Sequence, residues 1–460
     1  MFSLRSAAGY TIMILVSSLL FGETIFAQTT VLRDVQVLTM ETESILEDQT
    51  LIIRDGKVEW MGNSTDATVP NDAEVIDGPL FVMPGLAEMH AHIPSENEGR
   101  LAMEDALVLY LSQGITTIRG MLGQPAHLEL REDAANGEIV SPRIFTSGPS
   151  FSGGTVNDPE QARQMVRDQA DAGYDLLKLH PGLSVEQFDA ISETANDVGI
   201  EFSGHVSHAV GLERSLNAGQ GTIDHLDRYM EFLAGDPEDR EDPNIIYFGY
   251  DLADEVGADE SRLNEAAQKT IDAGTWNVPT HTLLHNVFNP GYTPEMMKNW
   301  PGMDFMPRDM VENWADYVSD IRRSSDYDAG KAQRFLEIRD RLLITLHEAG
   351  ARIMLGADAP QIFNPPGFSA HRELDLYVSA GMTPFEALQT GTVNVAEYLG
   401  ESGNAGIIRE GARADLVLLD ANPLETLPFR EHISGVVANG IYYSETDLSA
   451  LLDEIRERNR

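Results

Sequence analysis

The sequence predicts an α/β protein: a (β/α)8 TIM barrel carrying a small β-sandwich built from both terminal segments. Three observations lead there. Eight apolar strand segments, most followed by a helical stretch, fill about 300 residues in the middle of the chain, the arithmetic of such a barrel. Both ends read instead as short alternating strands. Histidine, lysine and aspartate recur near the ends of the strand segments, where barrel active sites form. A doubly wound open sheet is the rival architecture, but no GxGxxG motif opens any of the helices.

Residues 1–27 read as a signal peptide. Arg5 precedes an apolar run at 11–22 (TIMILVSSLLFG), and Ile25-Phe26-Ala27 offers a small residue before a cut. A membrane anchor would need a longer run. The chain has no cysteine, which excludes both a lipoprotein anchor and a disulfide framework. The expectation is cleavage after Ala27 and a soluble protein that is periplasmic or secreted. Residues 28–82 supply the first part of the sandwich. Runs at 31–38 and 49–53 alternate, Asp55-Gly56 turns into 57–60 as a hairpin, and 75–78 continues the pattern.

The barrel is expected over 83–395, its first strand reaching back to Phe81. Its strand candidates are 81–93, 116–119, 143–146, 176–179, 202–206, 222–226, 278–284 and 352–357. Helix starts are legible at Asp158-Pro159, Ser184-Val185 and Thr383-Pro384, each a cap residue with Glu or Gln shortly after. Two long stretches, 229–260 and 286–314, follow the sixth and seventh strands and are expected to cover the strand ends. The second part of the sandwich spans 396–445, with strands at 411–419 and 433–443. A charged surface helix closes the chain at 446–460.

Seventy-four acidic residues against 32 basic ones give a net charge of −42. Such a field repels nucleic acid and anionic lipid, leaving a small-molecule substrate as the expected partner and no membrane after signal cleavage. A homo-oligomer is left open. An acid-rich, lysine-poor surface suits salty surroundings, where screening relieves self-repulsion. Only five lysines occur, so one inside an apolar strand stands out.

That lysine is Lys178, in Asp175-Leu176-Leu177-Lys178-Leu179-His180. Buried there, it must find a counter-charge, lose its proton or be modified. His90 and His92 lie two apart on the first strand, so both face the barrel mouth and can share one divalent ion. His205 and His225 sit on the fifth and sixth strands, and Asp358 ends the eighth. His208, three residues past His205, competes with it, but His205 falls within the apolar strand.

At these residues the chain resembles the amidohydrolase superfamily. The likeness rests on PGLAEMHAH, DLLKLH, the SGH and IDH strands, LGADAP, AGMTPFEALQTGTVNVAEYLG and GARADLVLLDANPL. It covers almost the whole mature chain, and its nearest branch looks imidazolonepropionase-like and Xaa-Pro dipeptidase (prolidase-like). The resemblance implies two divalent metals. His90, His92 and Asp358 would hold one, and His205 and His225 the other. Zinc is the first choice, with manganese, iron(II) and cobalt as alternatives. Lys178, carboxylated by carbon dioxide, would bridge them as a carbamate, which turns a costly buried cation into a ligand.

The resemblance implies hydrolysis of a C–N bond in a dipeptide or N-acyl amino acid, with Asp358 as general base and then acid. Arg119 is read as a substrate-carboxylate clamp, with a structural ion pair as the rival role. Tyr229 and His281 are read as further substrate contacts. His180, His285 and His371 are weaker pocket candidates. A same-fold hydrolase of an ester, lactone or organophosphate is the alternative. A non-catalytic metal-binding barrel ranks last, because all six ligand positions are filled.

Overall fold

The computed structural model describes residues 29–235, 248–257 and 260–459. The segment expected to be a signal peptide lies outside the described residues, as do two parts of the 229–260 stretch. Among the described residues no helix is long and apolar enough to cross a membrane.

In chain order the strands are β1 (Thr30–Leu38), β2 (Ile45–Arg54), β3 (Lys57–Asn63), β4 (Glu74–Asp77), β5 (Phe81–Pro84), β6 (Leu86–Ala91), β7 (Ile115–Gly120), β8 (Arg143–Thr146), β9 (Leu176–Leu179), β10 (Glu201–Gly204), β11 (Thr222–Asp224), β12 (Trp276–Val278), β13 (Leu416–Leu419), β14 (Ile433–Ala438) and β15 (Ile441–Ser444). β1 to β5 and β13 to β15 form one sheet in the order β15-β14-β13-β5-β1-β2-β3, with β4 beside β1. Asp55 and Gly56 both have positive φ, as the tight hairpin turn between β2 and β3 requires. Leu32, Val37, Leu51 and Val82 from the first segment share one apolar core with Leu416, Leu418 and Val437 from the last. The two ends therefore bury a face that neither could bury alone.

The remaining strands are parallel: β6-β7-β8 in one sheet and β9-β10-β11-β12 in another. Parallel bridges Ser147–Leu176 and Phe151–Leu179 link the segment after β8 to β9. The segment around Ile353 bridges to Asn277 on β12, and Ala359 bridges to Ala91 on β6. The neighbour order around these links is compatible with a (β/α)8 barrel.

Four expectations change in detail. The eighth strand, expected over 352–357, is reduced to an isolated bridge from Ile353 to Asn277. The single strand expected over 81–93 divides at Gly85: β5 pairs with β1 and β13, while β6 pairs with β7. A Cβ on Gly85 would stand 2.2 Å from Thr116 Oγ1, so only glycine passes between the two sheets. The seventh strand, expected over 278–284, stops at Val278, and a helix runs over His281–Phe288. Pro279 interrupts the ladder, and both carboxylate oxygens of Glu373 accept the N–H groups of His281 and Thr282 at 2.7 Å, capping the new helix. The 286–314 stretch is not a bare loop. It contains helix Pro294–Met297 and the start of helix Arg308–Arg323, and it buries Met297, Met303, Phe305 and Met306 against Val108, Leu109 and Phe363.

Candidate metal centre

Backbone irregularity at the strand ends turns the polar side chains inward. The pairing of β6 with β7 slips between Glu88 and Ala91, around His90. His225 and Asp358 both have left-handed backbone, φ +61 and +62, as does Thr280 at +49. Non-glycine residues in that region cost roughly 1–3 kcal/mol each and persist where the surroundings over-determine them. Gly204, φ +119, lies against Lys178; a Cβ there would stand 2.9 Å from Lys178 Cδ and 2.7 Å from Leu179 O.

The six residues expected as ligands converge. His92 Nε2 lies 2.7 Å from Asp358 Oδ1, and His90 Nε2 lies 3.5 Å from the same oxygen. Lys178 Nζ is 3.5 Å from His90 Nε2. The His225 ring packs 4.6 Å from His90 and 4.4 Å from His205. Donor atoms of His90, His225 and Asp358 all fall within 4.8 Å of one another. His225 donates or accepts through Nδ1 at Thr280 Oγ1, 2.7 Å away, and its buried Nε2 has no partner among the described residues. A buried orphan nitrogen aimed at a carboxylate and another imidazole is what an imidazole ligand looks like without its ion. The donor set of nitrogen and carboxylate oxygen fits a divalent transition metal.

Electrostatics point the same way. Burial pushes the pKa values of His90, His205 and His225 down, toward the neutral form that ligates. Burial raises the Asp358 carboxyl, but His90 and His92 outweigh it and hold the group well below the usual range. Burial also drives the Lys178 ammonium down, offset only in part by Asp224 and Asp358. A depressed amine is more often unprotonated, the form that reacts with carbon dioxide.

Beside these groups a cleft of about 300 Å³ is lined by His90, His92, His180, His205, Asp358, Gln124, Gln361 and Met310. His180 stacks on His205 at 5.2 Å. The 286–314 stretch thus reaches the cleft through Met310.

The three residues expected to touch substrate lie elsewhere. Arg119 is 1% exposed, and its donors are committed: Nε to Met89 O at 2.7 Å, Nη1 to Tyr398 Oη at 2.8 Å, Nη2 to Thr222 Oγ1 at 3.2 Å and Asp224 Oδ1 at 3.4 Å. Its geometry is that of the structural ion pair, not of the clamp. Tyr229 is buried with its hydroxyl 2.7 Å from Thr270 Oγ1, and burial pushes its pKa up to about 12. His281 begins the helix after β12 and faces Asp340. Arg119→Met leaves Asp224 without its guanidinium partner, so a stability loss of about 3–5 kcal/mol by denaturant titration is expected. An unchanged midpoint with a raised KM for carboxylate substrates would restore the clamp.

Sequence reasoning missed Asp224 and Asp227. Asp224 Oδ2 lies 2.9 Å from His90 Nδ1 and 3.5 Å from Lys178 Nζ. Asp227 Oδ2 lies 2.8 Å from His205 Nδ1 and accepts Val206 N–H at 3.1 Å. These carboxylates fix the tautomer and orientation of the rings they face. The available signal was their position: Asp224 adjoins His225 and Asp227 follows two residues later.

The sequence pattern of the amidohydrolase family matches residues 81–442. Imidazolonepropionase of Idiomarina loihiensis is 24% identical over 416 residues, covering 84% of this chain and 92% of its own. Among solved structures, a bottromycin amidohydrolase superposes with a TM-score of 0.71 at 22% identity, covering 94% of this chain and 90% of its own. A putative prolidase from Bifidobacterium longum does so with a TM-score of 0.68 at 25% identity, covering 94% and 99%.

Proposed function

The chain belongs to the amidohydrolase family, and from that premise we propose a binuclear metal-dependent hydrolase that cleaves the C–N bond of a dipeptide or N-acyl amino acid. Hydrolysis of C–N bonds and metal dependence follow from the family. The observation that carries the finer reading is the clustering of two imidazoles, a third with an orphaned Nε2, a carboxylate and a buried lysine at the floor of one cleft. His90, His92 and Asp358 would hold one ion, and His205 and His225 a second. Lys178 as a carbamate would join them, with zinc the first choice of metal.

Bound there, the ions would lower the pKa of an attacking water and polarise the scissile carbonyl. The protein's own part is proton handling and positioning. Asp358, held ionised by His90 and His92, takes a proton from the water and delivers it to the departing nitrogen, so that the amine leaves neutral. Asp224 and Asp227 hold the rings of His90 and His205, and Thr280 holds that of His225. Met310 and Gln361 narrow the cleft, which suits a small substrate. The prolidase likeness supports a dipeptide, and the amino-terminal pattern supports export.

A panel of dipeptides (Xaa-Pro included), N-acyl amino acids, esters and lactones tests the bond class. Highest kcat/KM on an amide or peptide is expected. A preference for esters or lactones with no amide turned over would overturn the reading.

A further inference from the structure

A second group of buried nitrogen atoms lies away from the cleft. His281 and His285 stand four residues apart on helix His281–Phe288, so their rings share one face, 6.2 Å between centroids and 22° between planes. Both are buried, and among the described residues none of their four ring nitrogens makes a well-formed hydrogen bond. Facing them from helix Ala329–Glu348 is Asp340, whose Oδ1 is 3.6 Å from His281 Nε2 and 3.9 Å from His285 Nε2. Both gaps exceed a hydrogen bond, yet both rings aim the same atom at the same oxygen. A buried polar group left unpaired costs about 1–3 kcal/mol, so the two Nε2 atoms that face one oxygen call for a common partner.

We propose that His281, His285 and Asp340 form a third divalent-cation site, of the transition-metal type, between these two helices. Two imidazoles at i and i+4 on one helix face and one carboxylate are a nitrogen-and-oxygen set suited to zinc, cobalt or nickel. With metal–ligand lengths of about 2.0–2.2 Å, a tetrahedral ion spaces neighbouring donors about 3.4 Å apart, so each Asp340 gap closes by a few tenths of an ångström, while the two rings, 6.2 Å between centroids, must turn toward each other. Asp340 is 34% exposed, which opens a path for the ion and leaves room for water in the remaining positions. Burial and the nearby Arg339 hold His281 neutral, with its pKa pushed down to about 3, the ligating form. Arg339 also opposes a second positive charge, so affinity rests on the Asp340 carboxylate. An ion here ties the helix that follows Thr280 to its neighbour, and Thr280 in turn holds the His225 ring. Its role is to fix the exit from β12 beside the cleft.

His285→Ala and Asp340→Asn test this, since neither residue lines the cleft. Metal-free wild type and each variant are dialysed to equilibrium against cobalt(II) alone, then bound ions are counted and melting temperatures recorded. Each variant is expected to bind one ion fewer per chain than wild type and to lose part of the cobalt-induced rise in Tm. Equal ion counts in wild type and a folded variant would overturn the site. If His285→Ala does not fold, the near-isosteric Asp340→Asn at a part-exposed position carries the comparison. The readout is a difference between proteins, so it stands whether the strand-end cleft holds two ions, one or none.

Discussion

Asp358→Asn is expected to lower kcat by about 10³–10⁴-fold while the protein still folds and still binds metal. The substitution keeps the shape of the side chain and one carbonyl oxygen, so it tests proton transfer more than architecture. The carboxylate it replaces is 3% exposed, with Oδ1 2.7 Å from His92 Nε2 and Oδ2 3.5 Å from Gln361 Nε2. Its backbone N–H donates to His90 O at 3.0 Å, an anchor that the change leaves alone. An amide cannot accept the water's proton, so the loss falls on kcat and on kcat/KM alike. Near-wild-type turnover with metal bound would remove Asp358 from proton transfer.

Lys178→Ala is expected to cost on the order of 10³-fold in turnover and to deplete metal from the cleft. Lys178 is fully buried, and among the described residues its ammonium reaches Asp224 Oδ2 and His90 Nε2, each at 3.5 Å. Two competing accounts separate cleanly. If the side chain is a carbamate, short carboxylic acids such as acetate restore part of the activity of Lys178→Ala by refilling the vacated space. Lys178→Arg, which keeps the charge but takes up no carbon dioxide, stays inactive, and wild type grown with ¹³C-bicarbonate shows a carbamate carbonyl signal by NMR. If Lys178 is merely a cation paired with Asp224, Lys178→Arg keeps its turnover, no rescue occurs and no such signal appears.

Much of the framework was legible because its signals are local. β8 and β9 run over the residues expected, since each is a short apolar run with a turn on either side. Five of the six candidate ligands lie on or just past a parallel strand, and Asp358 follows the segment that bridges to β12, so the parallel arrangement brings them together. The failures have physical causes. The run 278–284 has no period that separates strand from helix, and its fate turns on Glu373, which caps the helix from 92 residues away. Arg119 looked available because its partner Tyr398 lies 279 residues on in the chain. Asp224 carries no signal of its own beside His225, because neighbours on a strand are expected to face opposite sides. The left-handed backbone at His225 lets both it and Asp224 turn inward, and no residue pattern announces that.

The central claim is that two metal ions sit at the strand ends, and the most direct test is anomalous X-ray diffraction at the zinc edge on crystals of the active protein. The account predicts two peaks in the cleft: one between His90, His92 and Asp358, and one beside His205 and His225, with Lys178 between them. A hydrolytically active crystal with no anomalous peak at those residues would contradict it.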